Sequence, residues 1–479
     1  MEGYFMQRKI IINFMYQVSY QILIIFLPVV TIPIVSDALG PSGLGTYNYI
    51  TSIAAYFILV GRLGMANYGV REISIVQRDR KKLSEKFWEL QFFNSFFSLG
   101  SLLVFVILAF FTDFPVLFLV SGLTVFSCFF DITWFFSGIE NFKKITIRNF
   151  IVKIISFILI LFLINDSDDL LLYFLITSLS MLISQMSLWI SLKKYIDWRP
   201  VSIKACLSHL KPSLEFFTAK LADTVLKNST TTILGLMATM GVVGYYSNSV
   251  TLMTVSGNIV NVMNTVMIPR MSALFSEDDE SGMINLLEKS LHLQLFFTIA
   301  IMFGVIAISN QMIDWFFGSE FANMKYILPW MAPVIVFQSF QMAVATQYLI
   351  PKKEMKEYNI SVFIGAVITS VLTVSLIPLI GVYGAVIGIN GGYIVMSALR
   401  FKGLLKETTF KFDYIKISKY IIAGLSMWLV IYFTTNSLTA NVITTLFQIL
   451  IGVTIYFGVT AILNVNPIYD VIKKKIVKN

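Results

Sequence analysis

The chain of 479 residues is 57% hydrophobic and 15% aromatic, and only 13% of its residues are charged. Because soluble domains carry about 25% charged residues, this composition excludes an ordinary soluble protein and indicates an integral membrane protein. The net charge of +9 could indicate nucleic acid or anionic lipid, but the placement of the positive residues, described below, follows membrane topology. We therefore expect no nucleic-acid partner. The two cysteines, Cys128 and Cys206, predict no disulfide framework.

Apolar runs long enough to cross a bilayer recur along the whole chain. Averaged over windows of about 19 residues, hydropathy predicts about fourteen membrane-spanning helices, called spans one to fourteen below. Span one, residues 10–35, contains Pro28 and Pro33 and is followed by no small-residue cleavage site, so we expect a spanning helix rather than a signal peptide. The other predicted spans are residues 44–65, 88–111, 115–137, 146–164, 170–192, 213–237, 242–267, 290–308, 327–350, 359–379, 382–402, 417–433 and 442–463.

The loops between the spans alternate in charge. Nearly all of the 36 Lys and Arg residues lie in one set of loops, such as NFKKITIR and PKKEMKE, and in the C-terminal tail. The intervening loops, such as NDSDD and IGVYG, are short and carry almost none. Because basic loops are retained on the cytoplasmic side, the pattern predicts a multi-pass protein with both termini in the cytoplasm.

A faint internal repeat divides the first twelve spans. The segment GLGTYNYITSI (43–53) resembles VVGYYSNSVTL (242–252) at an offset of 199 residues. Similarly, FFSGIENFKKITIRN (135–149) resembles YLIPKKEMKEYNISV (348–362) at an offset of 213. Generic helix-end residues are the alternative explanation, but a parallel repeat is one known architecture of secondary transporters, with a site between the halves. The predicted domains are an N-lobe with spans one to six (1–200), a C-lobe with spans seven to twelve (201–410), and spans thirteen and fourteen with a basic tail (411–479).

The motifs of pumps and metal enzymes are absent from the sequence. No Gly-Lys dipeptide occurs, which excludes a P-loop. The two histidines, His209 and His292, have no partners at metal-ligand spacing. The acidic cluster of Asp166, Asp168 and Asp169 lies in a short loop rather than in the outer domain that a lipid-using glycosyltransferase would need. We expect a protein that is not an enzyme, with no catalytic residue, no cofactor and no metal.

Charged residues inside span seven are the strongest functional signal. Lys220, Asp223, Lys227 and Thr231 follow steps of three and four, so they share one face of a helix. A charge at mid-membrane costs about 2.5–3.5 kcal/mol on insertion scales, so each needs a partner or a water-filled cavity. One alternative is a local ion triad with a purely structural role. However, two cations and one anion leave one positive charge over, which favours a cavity lining that attracts anions.

Three further charged residues lie inside predicted spans. Asp131 in span four and Lys153 in span five fall at similar depth in an antiparallel hairpin, which predicts a pair with either a structural or an ion-coupling role. Arg62 lies in the last turns of span two, where its side chain could also reach the interface. We treat Arg62 as a candidate contact for substrate.

Uncharged polar residues form two stripes at helical spacing. Such stripes often join helices, but they also suit the wall of a sugar-binding cavity. On span one the stripe is Asn13, Gln17 and Gln21, and on span eight it is Thr254, Asn258, Asn261 and Thr265. From these, Gln17, Gln21, Asn258 and Asn261 are candidate sugar contacts.

Several segments together resemble a known transporter family. They are LGPSGLGTYNYITSIAAYFILVGRLGMANYGVREI (39–73), DITWFFSGIENFKKITIRN (131–149), VGYYSNSVTLMTVSGNIVNVMNTVMIPRMS (243–272) and, more thinly, PLIGVYGAVIG (378–388). The chain resembles the Wzx-type repeat-unit flippases of the multidrug/oligosaccharidyl-lipid/polysaccharide (MOP) exporter superfamily, over essentially its whole length.

The resemblance implies two six-helix lobes and two additional helices in a bacterial plasma membrane. Such proteins move a polyprenyl-diphosphate-linked oligosaccharide outward by alternating access, with membrane lipids around them and a polysaccharide polymerase and chain-length machinery as further partners. Superfamily members place charges of helices one, two, seven and eight around a central cavity. Here Lys220, Asp223 and Lys227 match helix seven and Arg62 matches helix two. Span one has no internal charge, unlike lipid II flippases, which argues against a peptidoglycan-precursor role.

Other functions remain open at this point. A cation-coupled multidrug exporter of the same superfamily would be expected to present carboxylates to its drugs, which the cationic span seven disfavours. A teichoic-acid-chain flippase would have the same features. A membrane polymerase or acyltransferase is disfavoured by the short outer loops and by the absence of suitable histidines.

Overall fold

The computed structural model describes the backbone of residues 2–469 and the side chains of residues 27–469, apart from those of residues 219, 259 and 265. All regular secondary structure in that part of the chain is helical. The first ten α-helices are α1 (Glu2–Arg62), α2 (Met65–Val76), α3 (Arg80–Ala109), α4 (Pro115–Phe126), α5 (Thr133–Gly138), α6 (Phe142–Leu163), α7 (Leu170–Ser187), α8 (Trp189–Leu192), α9 (Ile203–Ser208) and α10 (Leu210–Met237). They are followed by α11 (Met240–Ser276), α12 (Glu280–Phe316), α13 (Met324–Met331), α14 (Pro333–Val344), α15 (Met355–Ile380), α16 (Val382–Glu407), α17 (Tyr414–Thr435) and α18 (Val442–Ile462).

The fourteen predicted spans all fall on these helices, which confirms the predicted all-α membrane fold. Within the described residues, eleven helical stretches are long and apolar enough to cross a membrane. One of them, Leu27–Val76, contains span two together with the end of span one. Spans seven and eight, which are α10 and α11, lie outside the eleven; α10 carries the charged stripe and α11 carries one of the two uncharged polar stripes.

Three interruptions shape the spans. Gly40, with φ 61° in the left-handed region that favours glycine, separates spans one and two within α1 and is followed by Pro41. Span four is α4, a 3-10 turn at Ser127–Phe130 and α5, with extended backbone at Asp131. Span ten is α13, α14 and a π-helical turn at Ala345–Leu349. Because an interrupted helix leaves backbone groups to be satisfied inside the membrane, polar contacts are expected at these places.

The chain packs as two compact units, Met1–Thr232 and Ile233–Asn479. The division falls inside α10, so the charged part of span seven packs with the first unit. The first unit has an aromatic-rich core that includes Phe87, Trp134 and Phe135. The second unit has a core in which α17 and α18 pack against α12, through Phe296, Tyr420 and Tyr456 among others. The three domains indicated by the sequence stay a prediction.

The turns before α6 and α15 have the same local structure. The two helices begin 213 residues apart, which is the offset that the sequence indicated for this pair. Each turn contains a residue in the left-handed region two positions before its helix, namely Glu140 with φ 57° and Lys353 with φ 62°. The following residue in each turn closes the same backbone hydrogen bond, from Asn141 N to Phe136 O and from Glu354 N to Leu349 O.

Spans two and three are repeated in spans eight and nine at a different offset. Asn48 and Asn248 each donate from Nδ2 to the carbonyl oxygen four residues earlier, both at 2.8 Å. Asp79 and Asp279 cap α3 and α12 by accepting from backbone N–H groups of the first turn. Both pairs lie 200 residues apart, one more than the offset of 199 that the sequence indicated. The local structure of the two units therefore supports the predicted parallel repeat.

Candidate functional site

The charged stripe of α10 forms a local ion triad with open lysines. Lys220 Nζ lies 2.5 Å from Asp223 Oδ2, and Lys227 Nζ lies 3.0 Å from Asp223 Oδ1. The side chains of Lys220 and Lys227 are 59% and 56% exposed, whereas that of Asp223 is 26% exposed. Lys227 Nζ also lies 3.2 Å from Asp223 Oδ2. Because an ammonium has three donors and both lysine side chains are more than half exposed, each lysine keeps a donor for a ligand. The triad carries one net positive charge.

Span two fixes the orientation of α10 in the first unit. Near the start of α10, Ser213 Oγ donates to Leu63 O. Gly64, with φ 80°, lies so close that a Cβ there would be 2.5 Å from Ser213 O. Near the end of the unit, the hydroxyls of Ser52 and Thr232 are 2.7 Å apart.

The part of α10 that carries the two lysines is buried mainly on the opposite side of the helix, although Thr224 is buried close to them. Ala222, Leu226 and Ser229 are buried and lie on the side of the helix away from the lysines. Thr231, which continues the charged stripe, is half-buried. The lysines are thus held on an open face of a helix that is anchored through its other contacts.

Arg62 pairs with Asp131 in the first unit. Arg62 Nη2 lies 2.9 Å from Asp131 Oδ2, and the side chains are 29% and 11% exposed. Asp131 Oδ1 also accepts from Thr133 N at 2.9 Å, so the carboxylate caps the backbone where span four is interrupted. The interruption brings Asp131 out of a regular helix and directs it to the end of span two. The positive charge of Arg62 is therefore balanced within the protein.

Lys153 is not the partner of Asp131, which corrects the predicted pair. Its side chain is exposed on α6, and no ion pair involves it among the described residues. On the same helix, Ser156 Oγ lies 2.5 Å from Ser180 Oγ of α7. Similar depth along two helices did not imply contact, because the rotation of each helix directs its side chains elsewhere.

The span-eight stripe leads into a buried amide cluster that sequence reasoning missed. Asn261 is half-buried and accepts from Asn264 Nδ2 at 3.2 Å. Asn264 Oδ1 in turn accepts from Gln294 of α12 at 2.9 Å and from Gln347 of the π-helical turn at 2.8 Å. Asn258 is half-buried. Glutamines inside predicted spans nine and ten were the available signal, and the cluster joins spans eight, nine and ten within the second unit.

Two sets of predicted residues have a limited description. Gln17 and Gln21, together with Asn13, lie on α1, and their side chains are outside the described residues. Thr265 of the span-eight stripe is outside them as well. In the described part of the chain, no group of three or more His, Cys, Asp or Glu residues could hold a metal ion.

His209 has partners that its position in the sequence did not indicate. It is buried at the start of α10, with Nδ1 2.6 Å from Tyr68 Oη and Nε2 3.3 Å from Glu89 Oε2. Burial lowers the pKa of His209 and Lys86 lowers it further, whereas the hydrogen bond to Glu89 acts in the opposite direction. His209 thus connects the N-terminal end of span seven to α2 and α3.

Solved structures show which fold the helices adopt. The lipid II flippase MurJ in its inward closed conformation matches with a TM-score of 0.73 and 19% identity, over 95% of this chain and 98% of that one. An inward-facing multidrug resistance MATE family transporter of the MOP superfamily matches with a TM-score of 0.58 and 14% identity, over 88% of this chain and 99% of that one. The chain therefore has the fold of these exporters.

Sequence comparison identifies the family. A curated relative, named "Probable low-salt glycan biosynthesis flippase Agl15", from Haloferax volcanii, is 23% identical over 247 residues, or 52% of this chain. The chain spans about half the length of that relative, 51%. Residues 10–275 match the family model described as polysaccharide biosynthesis protein. Since that match covers more than half of the sequence, the chain belongs to the polysaccharide biosynthesis protein family.

Proposed function

We propose that this multi-pass membrane protein is a flippase that moves a polyprenyl-diphosphate-linked oligosaccharide repeat unit from the cytoplasmic to the outer leaflet for surface polysaccharide synthesis. The observation that carries the proposal is the net positive charge on the open face of α10. A diphosphate is an anion that a lysine pair binds well, because each ammonium offers several donors to phosphate oxygens. Family membership and the exporter fold support transport rather than catalysis.

In this proposal, Lys220 and Lys227 bind the diphosphate and Asp223 holds the two lysines in position. Asp223 contacts both ammonium groups, so it keeps two long side chains one helical turn either side of itself. A bound anion would take over some of the lysine contacts to Asp223, and the three side chains of the triad would keep their net positive charge. The prenyl chain stays in the lipid, because moving this apolar chain into water would cost free energy.

Arg62 would be a second contact for the anion, and Asp131 would control whether the charge of Arg62 is available. Because Asp131 balances Arg62, the arginine would attract an anion strongly only when the carboxylate is protonated or displaced. This makes Asp131 a candidate for proton coupling. Lys153, exposed and without an ion pair in the described residues, is the other candidate of this kind.

The sugars would lie against uncharged polar side chains. Asn258 and Asn261 are half-buried on α11, and Asn261 is held by Asn264. Gln17 and Gln21 on α1 are proposed for the same role on the strength of their spacing alone. Amides can both donate and accept hydrogen bonds, which suits sugar hydroxyls.

The direction of transport follows from charge and topology. With the basic loops in the cytoplasm of a bacterial cell, outward movement of a negative charge runs down an inside-negative potential. This movement releases about 2.3 kcal/mol per charge per 100 mV, and a diphosphate carries about two charges. The proposed lobes, residues 1–200 and 201–410, would alternate around the site, and a polymerase with its chain-length machinery would receive the product.

Complementation of a deletion strain tests the function. The wild-type gene and the variant Lys211→Gln, an exposed cation at the start of the same helix, should both restore the surface polymer. Lys220→Gln/Lys227→Gln should fail to restore it at equal protein abundance, with lipid-linked units accumulating at the cytoplasmic leaflet. Drug resistance conferred by the gene with normal polymer in the deletion strain would instead support a multidrug exporter. Accumulation of unpolymerised units in the outer leaflet would support a polymerase.

A further inference from the structure

A cavity of about 190 Å³ lies in the second unit. It is lined by residues at the start of α15, at the end of α16 and on the π-helical turn. Its surface is mostly apolar, with contributions from Leu349, Ile360 and Leu399. The segment PKKEMKE, which leads into α15, is one of the basic segments that the sequence predicts on the cytoplasmic side. This predicted topology puts the cavity at the depth of lipid headgroups in the cytoplasmic leaflet. The cavity is separate from the charged stripe of α10, which belongs to the first unit.

Arg400 of α16 lines this cavity and has no acidic partner among the described residues. It is 4% exposed, and its guanidinium stacks 4.7 Å over the ring of Tyr358. Nε donates to Ser361 Oγ at 2.8 Å, and Nη1 donates to the backbone and side-chain oxygens of Gln341. Nη2 has only a 3.5 Å contact with Tyr358 O. All these partners are neutral, whereas a buried charge is normally paired with an opposite one.

Three glutamate side chains line the more exposed side of the same cavity. Glu357 is exposed and forms no ion pair within the described part of the chain. Glu407 accepts from Tyr348 Oη at 3.0 Å, and Glu354 lies 3.5 Å from Lys352. The cavity therefore offers a buried cation on one side and an excess of carboxylate on the other. A ligand that complements it carries an anionic group next to a cationic one.

We propose that this cavity binds the headgroup of a phospholipid with a free amine, with its phosphate at Arg400 and its ammonium at Glu357 and Glu407. The free donor of Nη2 meets a phosphate oxygen, which supplies the negative charge that the arginine lacks. The volume accommodates one small headgroup, and the apolar residues Leu349, Ile360 and Leu399 would contact the start of the acyl chains. Bound in this way, the lipid holds the ends of α15 and α16 together at the cytoplasmic surface.

Gly403 provides a variant that blocks the cavity without changing Arg400. Gly403 lines the cavity, and a Cβ built there meets no atom within 4 Å. Gly403→Leu should therefore fold, since leucine is also the better helix former, and should fill the space of the headgroup. Arg400→Gln removes the cation, and Lys402→Gln is the matched control, because Lys402 is an exposed cation on the same helix that does not line the cavity.

Thermal unfolding of the delipidated full-length protein in detergent tests the proposal. Phosphatidylethanolamine should raise the Tm of the wild type and of Lys402→Gln, and the shift should be lost in Gly403→Leu and in Arg400→Gln. Phosphatidylcholine, phosphatidylglycerol and inorganic phosphate should each give a much smaller shift. An equal shift in Gly403→Leu would overturn the site. An equal shift with phosphatidylcholine or phosphatidylglycerol would overturn the role of the amine, and an equal shift with inorganic phosphate would overturn the lipid.

Discussion

Arg62 and Asp131 form an ion pair across two spans, with 2.9 Å between Nη2 and Oδ2. The pair exists because span four stops being helical at Asp131, which lets the carboxylate cap Thr133 N and face the end of span two at the same time. The neighbouring Cys128, buried at the same turn, contributes its backbone oxygen to Asn94. The interruption of span four is thus stabilised by contacts of side chains from spans two, three and four.

Removal of one partner of that pair should destabilise the protein more than removal of both. Asp131→Asn leaves Arg62 mostly buried without its counter-charge, and the partial exposure of Arg62 limits the expected loss to about 1–3 kcal/mol. Arg62→Gln/Asp131→Asn should recover part of that loss. Thermal unfolding of the purified single and double variants measures the coupling. Additive effects of the two substitutions would contradict a direct interaction.

Gly64 should be required where span two meets span seven. Gly64→Ala places a Cβ 2.5 Å from Ser213 O and forces alanine into φ 80°, so we expect a loss of stability of about 1–3 kcal/mol. Gly100→Ala in α3 is the control, since its Cβ would meet nothing within 4 Å, and it should be neutral or stabilising. The melting temperatures of the two variants provide the comparison. Similar values would show that the close approach of the two spans is not needed.

The buried His209 should make stability depend on pH. Its pKa is lowered by burial, so the folded protein binds the proton less readily than the unfolded chain does. The stabilising contribution is therefore present above the unfolded pKa of about 6.5 and decreases as the pH falls below it. Glu72, Lys86 and Glu89 are the charged groups that act on this histidine.

The measurement is the Tm at pH 7.5 and at pH 5.5 for the wild type and for His209→Gln. The difference between the two pH values should be smaller in the variant, because its side chain has no proton to bind. Tyr68→Phe, which removes only the phenol hydroxyl at Nδ1, should keep a pH dependence. An identical pH dependence in the wild type and in His209→Gln would assign the effect to other groups.

Local patterns in the sequence predicted most of the fold. Fourteen apolar runs predicted the helices, because hydropathy depends on composition along the chain, and the orientation indicated by the basic loops stays a prediction. The steps of three and four from Lys220 to Lys227 predicted one shared helix face, with a local ion triad as one of two alternatives, and in the structure both lysines contact Asp223 from that face.

Contacts between helices were less predictable. The partner of Asp131 depends on how span four is interrupted, and the apolar sequence around residues 127–130 gave no sign of a 3-10 turn. The Asn264 cluster needed the π-helical turn that brings Gln347 inward, and the position of such a turn is set by packing rather than by periodicity. Arg400 was not singled out, because a single arginine at the end of a span resembles an ordinary topology signal.

In the proposed function, the surplus positive charge on α10, rather than charge as such, binds the anionic substrate. Substitutions of opposite sign at the triad separate these alternatives. Lys220→Gln/Lys227→Gln changes the triad from +1 to −1, whereas Asp223→Asn changes it from +1 to +2. Both alterations break the same two ion pairs, so a purely structural triad would respond similarly to each.

The most direct measurement is the flipping rate of a fluorescent polyprenyl-diphosphate-linked sugar in proteoliposomes that contain the full-length protein. We expect wild-type rates for Lys211→Gln, slower but retained flipping for Asp223→Asn, and a loss of flipping for Lys220→Gln/Lys227→Gln at equal reconstitution. Flipping at the wild-type rate by the double lysine variant, or its loss in Asp223→Asn and in the lysine variant alike, would contradict a role of the surplus positive charge in binding the substrate.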